Sequence, residues 1–143
     1  MQGYYLYDQP GVLVAPEDGW YDTGDVVEID ADGFIHIKGR VKRFAKVAGE
    51  MVSLEVVEKI AHTAAPEHQH AATSVADASR GESIVLFTSD AKLKREDLQI
   101  VAKALGAPEI AIARKIIVVE EIPLLGTGKT DYVTLKQLAE KAA

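Results

Sequence analysis

The chain has 143 residues, of which 48% are apolar and 27% charged, enough to build one ordinary domain with a buried core. It has no cysteine, which excludes a disulfide scaffold, a zinc ribbon, an iron–sulfur site and a cysteine nucleophile. No apolar run approaches the roughly 18 residues of a membrane-spanning helix, so we expect this segment to be soluble. The net charge of −6 argues against general nucleic-acid binding.

The charges change sign abruptly along the chain. Residues 1–37 hold eight acidic residues and no lysine or arginine, whereas residues 38–46 hold five basic residues and no acidic one. Such a sharp change indicates a boundary near residue 38 at which charged side chains have a function.

The predicted elements begin with a β-hairpin. Residues 25–30 and 34–38 alternate apolar and polar side chains on either side of a turn that contains Gly33. Alternation flanking a glycine-bearing turn is typical of two antiparallel strands.

The segment after residue 43 alternates predicted strands and helices. Ser53 is suited to cap a helix over residues 54–63, Gly106 ends a second helix over 96–105, and Thr134 is predicted to start a third. The resulting order, βαββαβα, predicts an α+β fold in which helices pack on a three-stranded sheet. The predicted strands cover residues 44–47, 71–75, 83–88 and 115–119.

Two polar residues flank the hairpin and are candidates for ligand binding. Asp25 follows a glycine-containing turn, where its carboxylate can accept hydrogen bonds from a ribose diol, although an aspartate capping its own turn is the commoner case. Arg40 can place its planar guanidinium on an oxygen-rich ligand, although a solvated basic connector is the commoner case for such a motif by itself.

A third candidate is Lys129 in the sequence Gly126-Thr-Gly-Lys-Thr130. The two glycines allow the backbone to approach a phosphate, and the lysine brings a compact positive charge. The spacing is not that of a Walker A loop, so a surface lysine in a turn is the alternative. His68 and His70 could share one face of a strand, but no third ligand is evident, and we predict no metal site.

Taken together and in this order, the motifs strongly resemble the C-terminal part of adenylate-forming enzymes, the family of acyl-CoA synthetases, luciferases and peptide-synthetase adenylation domains. The resemblance covers nearly the whole chain. It implies that residues 1–40 are the end of a large AMP-binding domain, with its last hairpin and a hinge, and that residues 41–143 form a mobile C-terminal lobe. The motifs that carry it are residues 21–25, 32–34, 39–42, 49, 53–55, 123 and 128–129.

The resemblance also implies roles for individual residues. Lys129 would contact the α-phosphate and carboxylate during adenylation, Asp25 and Arg40 would bind the nucleotide, and Lys42 would be the hinge. ATP with Mg²⁺ would be the cosubstrate of the full-length enzyme, whereas this segment alone would be inactive and bind no cofactor. A second face would form the thioester and receive the acceptor protein; its predicted residues are Arg43, Lys46 and Gly49.

Within the family, residues 43–55 and 123–136 look most like the bacterial bifunctional 2-acylglycerophosphoethanolamine acyltransferases/acyl-[acyl-carrier-protein] synthetases. That resemblance implies transfer of a fatty acid to the phosphopantetheine of acyl carrier protein, then to lysophosphatidylethanolamine, by a full-length protein at the bacterial inner membrane. Its partners would be the missing N-terminal AMP-binding domain and acyl carrier protein. The alternatives are the lobe of a long-chain acyl-CoA synthetase and a non-catalytic ligand-binding or dimerisation module.

Overall fold

The computed structural model of the chain describes residues 2–142. They form two compact units, Met1–Val41 and Lys42–Ala143, connected through the 3₁₀ turn Val41–Arg43.

The first unit consists of two antiparallel strand pairs. Strand β1 (Tyr4–Tyr5) pairs with β2 (Leu13–Val14), and β3 (Asp25–Ile29) pairs with β4 (Ile35–Arg40). The second pair is the predicted hairpin. Asp30 shapes its turn, because its Oδ1 accepts the backbone N–H groups of Asp32 and Phe34.

The second unit contains five strands and three helices. In chain order its elements are β5 (Phe44–Val47), β6 (Glu50–Ser53), α1 (Leu54–Ala64), β7 (His70–Asp77), β8 (Gly81–Thr88), α2 (Arg95–Ala104), β9 (Lys115–Val118) and α3 (Tyr132–Ala142). A 3₁₀ turn, Glu109–Ala111, lies between α2 and β9.

The sheet of the second unit is mixed. Strand β7 pairs antiparallel with one edge of β8 along its whole length. Two other strands pair with the opposite edge of β8. Strand β5 meets that edge at Gly81, and β9 runs parallel to its later half, from Val85 to Thr88. Strand β6 completes the order β6-β5-β8-β7.

Both faces of this sheet are covered by helices, and the alternation along β8 explains how. Ile84 and Leu86 are buried in the core formed with α1 and α2, whereas Val85 and Phe87 are buried in the core formed with α3. Because successive strand residues point to opposite faces, one apolar strand supplies both cores. Residues 84–87 of this central strand are therefore all apolar.

The α+β class with helices packed on a sheet is confirmed, with three differences of detail. The sheet has five strands where three were predicted. The predicted strand at residues 44–47, β5, joins the sheet at Gly81, and the unpredicted strand β6 returns directly from β5 through the two-residue turn Ala48-Gly49. Helix α3 begins at Tyr132, before the predicted start at Thr134, because Asp131 caps it. Ser53 precedes α1 as predicted, but its side chain makes no capping hydrogen bond.

Candidate functional site

Asp25 and Arg40 are directly opposite each other in the β3–β4 hairpin. The Nε of Arg40 lies 2.7 Å from Oδ1 of Asp25, and its Nη1 donates to the carbonyl of Thr23 at 2.8 Å. The Asp25 side chain is 19% exposed, whereas that of Arg40 is 63% exposed. The sequence predicted both residues as candidates without placing them together; the structure makes them one pair.

The turn before Asp25 holds this pair in position. Gly24 has a φ of 68°, and its N–H donates to Oδ1 of Asp22 at 2.7 Å. The carbonyl of Gly24 accepts the N–H of Val41 at 2.8 Å. Within residues 2–142, only Oδ1 of Asp25 has a protein partner, so its second carboxylate oxygen can accept hydrogen bonds from a ligand hydroxyl.

Lys129 lies in a tight hairpin between β9 and α3. The carbonyl of Lys129 accepts the N–H of Leu125 at 2.7 Å, and the N–H of Gly128 donates to the carbonyl of Leu125 at 2.8 Å. Gly128 has a φ of 80°, a backbone conformation that favours glycine. The Lys129 side chain is exposed and forms no salt bridge with any described residue, so its ammonium is free to meet an anion.

The hairpin is anchored on its C-terminal side by Asp131. The N–H of Asp131 donates to the carbonyl of Pro123 at 2.8 Å, which closes the base of the hairpin. Its carboxylate caps α3 by accepting the N–H groups of Val133 and Thr134, both at 3.1 Å, and the Thr134 hydroxyl at 2.7 Å. These hydrogen bonds, led by that from the Thr134 backbone, hold the pKa of Asp131 below its usual value.

Glu58 joins Arg43, at the end of the predicted hinge, to Tyr132, three residues after Lys129. Its Oε1 lies 2.6 Å from Nη2 of Arg43 and accepts the N–H of Ala72 at 2.8 Å and the hydroxyl of Tyr132 at 3.2 Å. The Arg43 guanidinium also stacks on the Tyr132 ring, 3.8 Å from its centroid. The sequence predictions missed Glu58 and Tyr132, although Glu58 is placed four residues after Leu54 on the buried side of α1.

The surroundings of Tyr132 in this cluster shift the pKa of its phenol. Burial, reinforced by the nearby Glu58 carboxylate, raises the pKa of the Tyr132 phenol above its usual value, while the Arg43 guanidinium opposes the shift. The phenol therefore remains protonated near neutral pH and donates its hydrogen bond to Glu58.

The structure changes the interpretation of Arg43. We predicted it as an exposed docking residue, but its side chain is only 13% exposed and is committed to Glu58, Tyr132 and the carbonyl of Ala72. A guanidinium with these partners presents little charge to an approaching protein. We therefore assign Arg43 a structural role and remove it from the predicted docking set.

The other residues predicted for the hinge and for the thioester-forming face, Lys42, Lys46 and Gly49, are exposed. Lys42 lies in the 3₁₀ turn Val41–Arg43, and Lys46 is on β5, where its N–H donates to Oε2 of Glu82 at 2.6 Å. Gly49 forms the β5–β6 turn together with Ala48; their φ values are 89° and 52°. Positive φ at both central residues is the requirement of a type I′ hairpin turn, and it is unusual for an alanine.

The histidines of residues 68–70 have structural partners. Nε2 of His70 donates to the carbonyl of Ala65 at 2.8 Å, and burial lowers the pKa of His70 below its usual value. His68 lies near Asp90, with 4.0 Å between Nε2 and Oδ1. Residues 2–142 contain no group of three metal-ligating side chains. No helix in the described part combines the length and apolar character needed to cross a membrane.

The chain is similar to known proteins in sequence and in fold. The chain is 32% identical over 146 residues to 2,3-dihydroxybenzoate-AMP ligase of Bacillus subtilis, covering 99% of the chain and 27% of that enzyme. It is 29% identical over 145 residues to the salicylyl-CoA synthase/salicylate adenylyltransferase of a Streptomyces species, covering 99% of the chain and 26% of that enzyme. The ATP-bound crystal structure of MatB from Rhodopseudomonas palustris superposes with a TM-score of 0.69, at 20% identity, over 90% of the chain and 26% of MatB. No protein-family model matches the chain.

These similarities define the class of protein. In sequence and in fold, the chain matches the C-terminal domain of the adenylate-forming (AMP-binding) acyl- and aryl-CoA ligase family. It spans about a quarter of the length of the relatives that it matches. The match does not distinguish a bifunctional acyltransferase/acyl-carrier-protein synthetase from other members of the family, so that identity stays a prediction.

Proposed function

We propose that this chain is the C-terminal lobe of an ATP-dependent ligase that activates a fatty acid as its acyl-adenylate and then transfers it to a thiol. The observation that carries the proposal is the exposed, unpaired ammonium of Lys129 on a hairpin held by backbone hydrogen bonds and by the Asp131 cap. A positioned cation stabilises the charge that develops on the phosphoryl group in the transition state more than it stabilises the ground state.

The Asp25–Arg40 pair supplies the proposed nucleotide contact. Asp25 would accept hydrogen bonds from the ribose hydroxyls through its free carboxylate oxygen, and Arg40 would hold that carboxylate in its orientation. In the first unit, no described apolar side chain is fully buried. This supports a role as one edge of a larger nucleotide-binding domain, since the unit has no core of its own.

The second half-reaction is assigned to a different region of the lobe. Lys42 would be the hinge that exchanges Lys129 for a second face, and Lys46 and Gly49 would belong to that face. Their exposure, and the backbone strain at the Ala48–Gly49 turn, support this assignment.

For the acceptor, we propose the phosphopantetheine thiol of acyl carrier protein, with lysophosphatidylethanolamine as the final acyl acceptor through a separate N-terminal acyltransferase at the inner membrane. The support is the resemblance of residues 43–55 and 123–136 to the bifunctional proteins. The second candidate is CoA, and it is favoured by the relatives, one of which is a salicylyl-CoA synthase.

The test of the adenylation role is the variant Lys129→Ala in the full-length protein, assayed by ATP–pyrophosphate exchange. Loss of one preorganised charge costs about 3–4 kcal/mol of transition-state stabilisation, so exchange should fall by about two to three orders of magnitude. Thioester formation from supplied acyl-adenylate should be nearly unchanged. The matched control is Lys141→Ala, an exposed lysine at the end of α3. Normal exchange by Lys129→Ala would refute the assignment.

The two acceptors are separated by the second half-reaction. The unsubstituted full-length protein is given acyl-adenylate with either acyl carrier protein or CoA, and thioester is measured by mass spectrometry. Faster transfer to the carrier protein supports the finer proposal. Transfer to CoA alone favours the plain synthetase, and absence of adenylation altogether leaves the non-catalytic module.

A further inference from the structure

An open cavity of about 430 Å³ lies in the second unit, and none of the residues assigned a role above lines it. It opens between the start of β8, the start of α2 and the 3₁₀ turn Glu109–Ala111. Its floor is apolar, since Ile84 and Ile112 are buried, whereas its rim is strongly basic. The rim includes Arg80, Ser83, Arg95, Glu109 and Arg114.

Three of the five arginines in the chain line this one cavity. The two outside it, Arg40 and Arg43, each bond a carboxylate at 2.7 Å or less. In contrast, Arg80 and Arg95 are half-buried and form no salt bridge with any residue that the structure describes.

The third guanidinium is only weakly compensated. Nη1 of Arg114 lies 3.9 Å from Oδ2 of Asp77, and one further acid, Glu109, lines the cavity. The rim therefore carries more positive than negative charge, and gathering like charges around a cavity is unfavourable unless an anion joins them.

The backbone that carries these arginines is fixed before any ligand arrives. Oδ1 of Asp77 accepts the N–H groups of Ser79 and Arg80 and the hydroxyl of Ser79, which closes the β7–β8 turn. The carbonyl of Arg80 accepts the N–H of Ala48 at 2.7 Å. The cavity thus adjoins the Ala48–Gly49 turn, and Val47 lines it directly.

We propose that this cavity is a binding site for the phosphate group of a phosphate ester, held by Arg80, Arg95 and Arg114. Guanidinium groups match phosphate oxygens in pairs of parallel hydrogen bonds, and a dianionic group offsets the excess positive charge of the rim. The Ser83 hydroxyl, which also lines the cavity, can add a further hydrogen bond.

The phosphate has two possible sources, a nucleotide and a phosphopantetheine arm. The cavity lies beside the turn to which the proposed function assigns thioester formation, so we assign the phosphate to the phosphopantetheine of the acceptor. This choice of source rests on the proposed function, whereas the existence of the phosphate site does not.

The site is tested on the 143-residue chain labelled with ¹⁵N, by following the Nε–Hε signals of its five arginines. Inorganic phosphate is titrated at constant ionic strength against chloride, and 4′-phosphopantetheine, AMP and phosphate-free pantetheine follow. In the phosphate titration we expect saturable shifts at Arg80, Arg95 and Arg114, with Arg40 and Arg43 as internal controls. In the AMP titration Arg43 alone is the control, because Arg40 belongs to the proposed nucleotide contact. Equal shifts at all five, or no saturation, would overturn the proposal, since either means non-specific screening.

The variant Arg95→Gln should weaken phosphate binding about tenfold or more, because a charge-assisted hydrogen bond to the anion is lost. The matched control, Lys103→Gln on the same helix, removes an exposed charge outside the cavity and should leave the affinity within about twofold. Circular dichroism checks that both variants fold. Equal weakening by the two variants would refute a defined site.

The ligand series identifies the source and keeps the two proposals apart. Tighter binding of 4′-phosphopantetheine than of AMP, with no binding of pantetheine, supports the acceptor assignment, and the reverse order assigns the site to a nucleotide. Adenylation by the full-length enzyme does not depend on this outcome. If phosphate does not bind while Lys129→Ala still abolishes adenylation, the cavity proposal alone has failed.

Discussion

Glu58 offers the sharpest test of how this lobe holds its shape. The variant Glu58→Ala removes the common acceptor of Arg43, Tyr132 and the N–H of Ala72. The variant Glu58→Gln keeps an oxygen acceptor of similar size but loses the charge. We expect Glu58→Ala to be the more destabilising of the two, because it leaves both a buried backbone donor and a half-buried cation without a partner.

The size of the loss follows from the burial of each partner. Ala72 is fully buried, and leaving its N–H unsatisfied costs about 1–3 kcal/mol. The Arg43–Glu58 pair, with side chains 13% and 20% exposed, lies between a surface pair and a buried one, so its loss costs about 1–2 kcal/mol. The terms overlap, and we expect about 3 kcal/mol for Glu58→Ala and about 1–2 kcal/mol for Glu58→Gln.

Urea unfolding of the 143-residue chain, followed by circular dichroism at 222 nm, measures this loss. All three α-helices lie in the second unit, so the signal reports mainly that unit. With an m value of about 1.5–2 kcal/mol/M, Glu58→Ala should lower the midpoint by about 1.5–2 M. The fluorescence of Trp20, the single tryptophan, reports the first unit separately.

Glu55→Ala is the matched control, because it makes the same substitution at an exposed position one turn earlier on α1. It removes only a favourable charge near the helix N-terminus and should cost less than about 1 kcal/mol. If Glu58→Ala costs no more than Glu55→Ala, the network contributes nothing and our interpretation of Arg43 is wrong.

Three further variants probe other features of the second unit. Because the pKa of Tyr132 is raised in the folded state, stability should be lost as the pH rises above about 10, and Tyr132→Phe should reduce that loss in urea titrations at alkaline pH. Because burial lowers the pKa of His70, its contribution is present above pH 6.5 and is lost as the pH falls through the lowered value. His70→Gln should therefore flatten the stability profile between about pH 7 and 5, and an NMR titration of His70 with a midpoint at or above about 6.5, the usual value for histidine, would contradict this. Ala48→Gly should stabilise the chain by about 1 kcal/mol in urea unfolding, because glycine adopts the φ of 52° without strain, and no gain would contradict the assigned turn.

Elements that depend on local pattern were predictable from the sequence. The stripe of Leu54, Val57, Ile60 and Ala61 predicted α1, and all four side chains are buried. Gly106 was predicted to end the second helix, and it has a φ of 67° one residue beyond the C-cap Leu105. These features are encoded within a few residues, where periodicity and turn chemistry act.

The features that escaped prediction depend on neighbours distant in the chain. Glu58 is on the buried side of α1, a signal that a polar partner was needed, but its partners are 15 residues away at Arg43 and 74 away at Tyr132. The start of α3 was missed for a related reason. Thr134 and Asp131 are both good capping residues, and the hydrogen bond from Asp131 to Pro123 decides between them.

Some positive side chains of this lobe form salt bridges within it, and others have no acidic partner among residues 2–142. This difference connects the fold to the proposed function. Arg43 forms a salt bridge with Glu58 on α1. This salt bridge links the chain just after the proposed hinge to that helix. Glu58 also accepts the hydroxyl of Tyr132, three residues after Lys129. Because both segments share one acceptor, the Lys129 hairpin should move with the body of the lobe when the hinge turns. The ammonium of Lys129, with no salt-bridge partner among residues 2–142, is then the charge that such a rotation delivers or withdraws.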